Sequence, residues 1–407
     1  IITEMSVPLE QVMVELNDMS NEDYMMEMTG LSGVYTFEGL NSYHNYSIQP
    51  VHDKDPLNGV STLDLLLIQR HILGMDPIDN PFKLIAADID NSGSISAVDL
   101  IQLRKLILGI FDKFPENDSW TFVPEAHSFA DPLHPWQYSR YIELYEMGDL
   151  QDQLDFVAIK VGDINNSAAS DANNKGNTNK EASVYLSTLE KSFKRGELVE
   201  VPVILENDIA GFGMQFTIEF DDQSLLFQGI DGYMLDVQQD NFALLNKKAG
   251  KISFSFNSIE LKDYKASDVL FKIYFEATGD GQLSEKCQLN SSVTAAEFYD
   301  EKMDVLDIDF LIRSDEDKDA ATLELFQNIP NPFSNITTIS FSNPKRQNVR
   351  LSILDPNGRL LLKRESEFDK GVNKFIIYSD DLDSSGLLLY RIESSGASIT
   401  RKMIMVK

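Results

Sequence analysis

The chain repeats itself at an offset of 35 residues. Val60-Ser61-Thr62-Leu63-Asp64-Leu65 aligns with Ile95-Ser96-Ala97-Val98-Asp99-Leu100, and Ile72-Leu73-Gly74 aligns with Ile107-Leu108-Gly109. The same offset sets Asp53 on Asp88 and Asp55 on Asp90. An in-register duplication of an Asp-rich loop and a Leu-rich helical pattern predicts helices over Leu65–Leu73 and Leu100–Leu108, each entered from its own loop.

The second loop runs from Asp88 to Asp99. Numbered from one to twelve, it places Asp88 at one, Asp90 at three, Ser92 at five, Gly93 at six, Ser94 at seven, Ser96 at nine and Asp99 at twelve. Ca²⁺ takes about six to eight oxygen ligands, and this spacing supplies them. Alternate positions point inward, Gly at six permits the sharp turn, and the carboxylate at twelve enters from the first turn of the helix. Without a cation, Asp88, Asp90 and Asp99 repel one another. The first loop keeps the frame with Asp53, Asp55, Ser61 and Asp64 at one, three, nine and twelve, but Leu57 at five offers no side-chain oxygen. A weaker or distorted second Ca²⁺ site is therefore expected there. A metal-free Asp-rich turn with an Asp cap suits one such loop but not two in register. A shorter run, Asp163-Ile164-Asn165-Asn166-Ser167, has no following helix and reads as an Asx turn that ends the unit.

The remainder alternates apolar and polar residues between turn clusters, which reads as short antiparallel strands. The expected units are a partial β-sandwich at 1–50, the calcium-binding unit with its extension at 51–168, a linker at 169–181, a β-sandwich at 182–312, a linker at 313–322 and a terminal β domain at 323–407. The fold class is thus mainly β and multidomain, built of β-sandwich modules with one small α-helical, EF-hand-like loop-helix unit. Strands are expected near Val184–Leu189, Val199–Leu205, Phe212–Phe220, Ile252–Phe256, Val269–Ala277 and Val305–Ile312.

Charge narrows the function. The net charge is −30 over 407 residues. Nucleic acid and anionic membrane surfaces both need a basic face, so neither is an expected partner. The acidity is uneven: residues 322–407 hold 12 basic and 9 acidic side chains, and residues 1–321 hold 23 and 56. One cysteine, Cys287, excludes an internal disulfide and a cysteine zinc site. The five histidines all fall within the first third, away from any nucleophile motif. No apolar run is long enough to span a bilayer. The chain opens at Ile1 inside a strand-like pattern, with no signal peptide, and reads as the C-terminal part of a longer polypeptide.

At the duplicated loops the sequence resembles a type I dockerin of the kind found in Bacteroidetes surface proteins. The resemblance implies a calcium-dependent module that binds cohesins. The matching residues are Asp53, Asp55, Asp64, Asp88, Asp90, Asp99 and the two helices. In that family the residues just before position twelve help to recognise the cohesin; here they are Thr62-Leu63 and Ala97-Val98, which could equally pack inside the unit. The strand pair around Gly33-Val34-Tyr35-Thr36-Phe37 resembles a prealbumin-like (carboxypeptidase-regulatory) sandwich. Residues 182–312, with Gly211-Phe212-Gly213-Met214-Gln215-Phe216-Thr217-Ile218, resemble a cohesin sandwich. Tyr233, Phe242 and Tyr264 are the candidates there for a glycan platform, against the ordinary reading of strand aromatics as core. Residues 323–407, with Asn328-Ile329-Pro330-Asn331-Pro332-Phe333 and Asp355-Pro356-Asn357-Gly358-Arg359, resemble the type A sorting domain of the type IX secretion system. That implies export across the outer membrane and surface attachment.

Two functions follow. The first is a non-catalytic, secreted or surface assembly protein whose docking partner is a cohesin-like domain of its own chain, another copy or another protein, with the type IX machinery and glycans as further partners. The second is the tail of a polysaccharide-degrading hydrolase with its catalytic domain upstream. No acid/base pair with a cleft is legible, so no catalytic residue is expected in this chain.

Overall fold

The computed structural model describes residues 1–148, 154–169, 183–245, 250–313, 323–369, 371–394 and 397–406. Apart from Ala169 and Arg313, both expected linkers lie outside the described residues.

Three helices form the duplicated unit: α1 (Thr62–Ile72), α2 (Pro81–Ala87) and α3 (Ala97–Ile107). The repeat explains why α1 and α3 match in length and in both ends. Ser61 and Ser96 cap them, their hydroxyls accepting the N–H of Leu63 and Val98, while Asp64 and Asp99 reach back to the cap backbone. Gly74 and Gly109, at φ of 67° and 68°, take the left-handed turn that closes each helix. The sequence pattern does not predict the third helix, α2, whose run is only seven residues long. Its signals are end signals: Asn80 caps it and Pro81 fills the first turn.

Residues 113–168 bind the helices to the N-terminal strands. Strand Phe156–Lys160 pairs in parallel with Ile2–Thr3 and antiparallel with Trp120–Pro124. Its alternation serves two cores at once. Phe156 and Ala158 face Val12, Val14, Leu16 and Tyr46 of the N-terminal sheet, whereas Ile159, followed by Val161, packs with Leu65, Ile68, Leu103 and Ile107 of the helices. The N-terminal sheet runs in the order Asp23–Met28, Met13–Asp18, Tyr46–Val51, Ile142–Leu144. Residues 1–50 are therefore not a separate sandwich; they share a core and a sheet with the 113–168 extension.

The second body is a closed-packed β-sandwich whose strand path begins at Leu225–Gly232, passes through Val269–Ala277, Leu198–Leu205 and Ser183–Leu189, and crosses the parallel partner Val305–Arg313 to Glu297–Asp300, Ile209–Phe220 and Lys251–Tyr264. The six expected strands are all present, each within a few residues of its expected bounds except the longer Lys251–Tyr264. Phe216, Phe254 and Phe271 stack at the centre, with neighbouring centroids 4.8–6.0 Å apart. The third body, residues 323–406, packs a three-stranded against a four-stranded sheet around Phe341, Leu351, Ile353 and Tyr390. Among the described residues no helix is long and apolar enough to cross a membrane.

Candidate metal centre and docking face

The second loop assembles as its spacing requires. Ligand oxygens of Asp88, Asp90 and Asp99 lie within 4.8 Å of one another. Each carboxylate is held by backbone donors. Asp88 accepts the N–H of Ser92 (2.8 Å) and Gly93 (2.9 Å). Asp90 accepts Ser92 N–H at 3.1 Å. Asp99 Oδ1 accepts Ile89 and Asp90 N–H at 2.7 and 3.1 Å, and its Oδ2 accepts Ser96 N–H at 2.7 Å. Ser92 Oγ lies 3.2 Å from both the carbonyl and the hydroxyl of Ser94. Burial pushes Asp88 up to about 6, with Asp99 and Asp90 adding to the rise; burial also raises Asp99. A divalent cation relieves both effects, because it supplies the missing opposite charge. An all-oxygen donor set with three carboxylates fits calcium. A bound ion would provide neutralisation of these carboxylates and a cross-link from the loop to the first turn of α3.

The first loop is different. Asp53 turns away: its Oδ1 accepts the N–H and O–H of Ser119 at 3.0 and 3.1 Å, and Lys113 Nζ lies 3.3 Å from its Oδ2. Asp55 is exposed, on a residue with φ of 48°. Neither joins Asp64 in a carboxylate group. Asp53 is paired with Lys113 and Ser119 instead, and Leu57 at position five offers no side-chain oxygen. Asp64 is fully buried and faces the 163–168 segment instead, accepting Ile164 N–H at 2.8 Å. Its pKa is raised by burial and then by Asp163.

A second candidate surface lies where α1 and α3 meet the sandwich. Gln215 Oε1 accepts the N–H and O–H of Thr62 at 2.7 and 2.8 Å. Thr62 Oγ1 lies 2.7 Å from Ser255 Oγ. Asn257 bridges the two helices, accepting from Arg104 Nη2 at 2.8 Å and donating to Gln69 Oε1 at 2.7 Å. Thr294 Oγ1 donates to the Ile107 carbonyl at 2.7 Å. Beside these polar contacts, Leu63 and Leu66 pack with Phe212 and Tyr299. Buried apolar packing together with satisfied hydrogen bonds belongs to the anatomy of a specific protein interface.

The repeat is used asymmetrically at this face. Thr62 and Leu63 of the first copy are buried, whereas Ala97 and Val98 of the second are exposed. The sequence pattern does not mark Gln215, Ser255 and Asn257 as site residues. Gln215, Thr217, Ser253 and Ser255 alternate with core Phe216 and Phe254, so they read as solvent-facing; instead all four are buried. Ser253 and Thr217 lie on the same outward face, with Thr217 Oγ1 accepting from Val293 and Thr294 N–H at 3.1 and 2.9 Å. The glycan candidates form no platform. Tyr264 is buried, Phe242 packs edge-on to Phe227, and the exposed Tyr233 lies under Lys272, whose Nζ is 4.6 Å from its ring centroid.

Three family models match the chain. They are the dockerin type I domain over residues 58–108, the cohesin domain over 182–309 and the secretion system C-terminal sorting domain over 328–407. Similar solved structures include the seventh ScaB type I cohesin from Pseudobacteroides cellulosolvens, 19% identical over 32% of this chain and 92% of that one, at a TM-score of 0.26. Another is CaCohA2 from Clostridium acetobutylicum, 19% identical over 33% and 94% of the two chains, at a TM-score of 0.24. A third is the third cohesin ScaC of Acetivibrio cellulolyticus, solved in complex with the ScaB dockerin, 20% identical over 32% and 99%, at a TM-score of 0.24. No curated protein matches.

Proposed function

Because this polypeptide joins a type I dockerin, a cohesin domain and a secretion-system sorting domain, we propose that it is a non-catalytic, exported docking segment whose dockerin is held, calcium-loaded, on its own cohesin sandwich. The type IX sorting domain directs the protein across the outer membrane and to the cell surface. Calcium sets the loop before α3, α3 packs on α1, and α1 presents Thr62, Leu63 and Leu66 to the sandwich. The single observation that carries the reading is the Thr62 side chain, which contacts Gln215 and Ser255 across the junction. A hydroxyl at zero exposure with two side-chain partners on the other body supports the reading of a specific interface.

The test is the double variant Thr62→Cys with Ser255→Cys in the whole chain. The native Cys287 is buried and its thiol is pushed up to about 12 by burial, so it stays out of the oxidation. Expected on mild oxidation is a monomer with one internal disulfide. Disulfide-linked dimers mean that docking takes place between chains, and free thiols in the folded protein overturn the interface.

A further inference from the structure

We infer that the second calcium ion is held not by the Asp53–Asp64 loop but by a site assembled from two distant pieces of chain: Asp163, Asn165 and Ser167 from the end of the extension, and Gly59, Ser61 and Asp64 from the start of α1. The inference rests on the calcium reading of the dockerin and changes which residues carry it.

The argument begins with the loop before α3. Asp163-Ile164-Asn165-Asn166-Ser167 repeats Asp88-Ile89-Asp90-Asn91-Ser92 with one change, Asn for Asp at the third residue. In space it is joined to Asp64 as the earlier run is joined to Asp99. Asp163 accepts Ser167 N–H (3.1 Å) and Ala168 N–H (2.8 Å). Asn165 Oδ1 accepts Ser167 N–H at 3.0 Å. Asp64 Oδ1 accepts Ile164 and Asn165 N–H at 2.8 and 3.4 Å, and its Oδ2 accepts Ser61 N–H at 2.9 Å. Ser167 Oγ donates to the Gly59 carbonyl at 3.0 Å, as Ser92 Oγ does to Ser94. Asn166 and Asn91 both carry positive φ, 61° and 54°.

Two further differences fall at the sixth position: Ala168 stands where the earlier loop has Gly93, and no peptide bond joins it to the seventh. There the two pieces abut. A Cβ on Gly59, which has φ of 70°, would sit 2.4 Å from Ala168 N. The Asn58 side chain closes the gap, donating to the Ala169 carbonyl at 2.8 Å and accepting Ala169 N–H at 2.9 Å. The oxygens of Asp163, Asn165, Ser167, Gly59 and Asp64 thus form a calcium donor set of the same kind as the Asp88–Asp99 loop, with one fewer carboxylate. Asp53, bound to Ser119 and Lys113, is not needed for it. Where the chain is broken, the ion joins segments about a hundred residues apart and locks the extension onto α1.

Calcium stoichiometry of the whole chain, by calorimetry on chelator-treated protein with calcium chloride, tests this. Expected are two equivalents for the wild type, one for Asp163→Asn, one for Asp99→Asn and two for Asp53→Asn. Circular dichroism at saturating calcium checks that each variant is folded, and Asn165→Ala, which spares the buried carboxylates, is expected to weaken one equivalent and leave the other. One wild-type equivalent, removed by Asp99→Asn alone, overturns the split site while leaving calcium in place. Loss of an equivalent in Asp53→Asn with two retained in Asp163→Asn also overturns it. No calcium uptake at all refutes the calcium reading itself.

Discussion

Asp64 lies in the first turn of α1, yet its carboxylate accepts the backbone N–H of Ile164, one hundred residues further along, at 2.8 Å. The helices and the closing strand Phe156–Lys160 are therefore tied at both ends. Lys160 Nζ donates to the Pro56 carbonyl at 2.9 Å on the other side of the same junction. Removing calcium is expected to loosen α1, α3 and that strand in one transition. The stability of the helical unit should rise with the logarithm of free calcium, by roughly 2.7 kcal/mol per site at a hundredfold excess over Kd. The transition of the 323–406 domain should stay fixed. Calorimetry across a calcium series checks both, and two transitions moving together would sink the separation.

One amide oxygen at the junction between helices and sandwich serves two donors. Gln215 Oε1 takes both donors of Thr62. Gln215→Leu strands the buried N–H of Thr62, at a cost of about 1–3 kcal/mol, while the Thr62 hydroxyl keeps Ser255 as a partner. Faster amide exchange at Thr62 is expected, while Leu103 in the interior of α3 keeps its protection. Unchanged exchange at Thr62 would show that the amide is not held by this contact.

Neighbouring leucines on α1 separate docking from folding. Leu66 packs towards Phe212 and Tyr299, whereas Leu65 packs with Ile68, Leu103 and Ile107. Both are almost fully buried, so either Leu→Ala change costs about 2–5 kcal/mol. Leu66→Ala is expected to weaken the hold on the sandwich and leave the helical signal and calcium uptake intact. Leu65→Ala is expected to lose helical signal and calcium affinity together. Urea unfolding followed by far-ultraviolet dichroism distinguishes them, and identical behaviour would contradict the assignment of two faces to α1.

Much of this was legible from residue order because the signals are local. Ser61 with Asp64 and Ser96 with Asp99 announce helix starts, Gly74 and Gly109 announce ends, and alternation around Phe216 and Phe254 announces strands. The donor set of the second loop was legible for the same reason, since twelve consecutive residues hold it. The partner of Asp64 was not. Its sequence signal, the near-identity of residues 163–167 to 88–92, was present, but it follows the helix it serves instead of preceding it. The 35-residue register therefore pointed to Asp53 and Asp55. The sharing of strand Phe156–Lys160 between two cores was hidden too, because a strand buried on both faces reads the same whichever bodies cover it.

Far from the calcium loops, Asp18 gives the N-terminal sheet an acid dependence. Its side chain is buried, His44 Nδ1 lies 2.7 Å from its Oδ2, and Ser20 N–H donates to its Oδ1 at 2.9 Å. Burial alone would raise this carboxyl, but His44 and the backbone donors outweigh it and hold it below the usual Asp value. A group with a depressed folded pKa contributes stability that is present above its unfolded pKa, about 3.9, and is lost as pH falls through the folded one. The folded protein should therefore lose part of its N-terminal stability only below about pH 4. Asp18→Asn should melt lower than wild type near neutrality and fall less across the acid range, because the titrating group is gone. Melting of both proteins from about pH 6 to pH 3 measures this, and parallel curves would assign the acid dependence to other carboxylates.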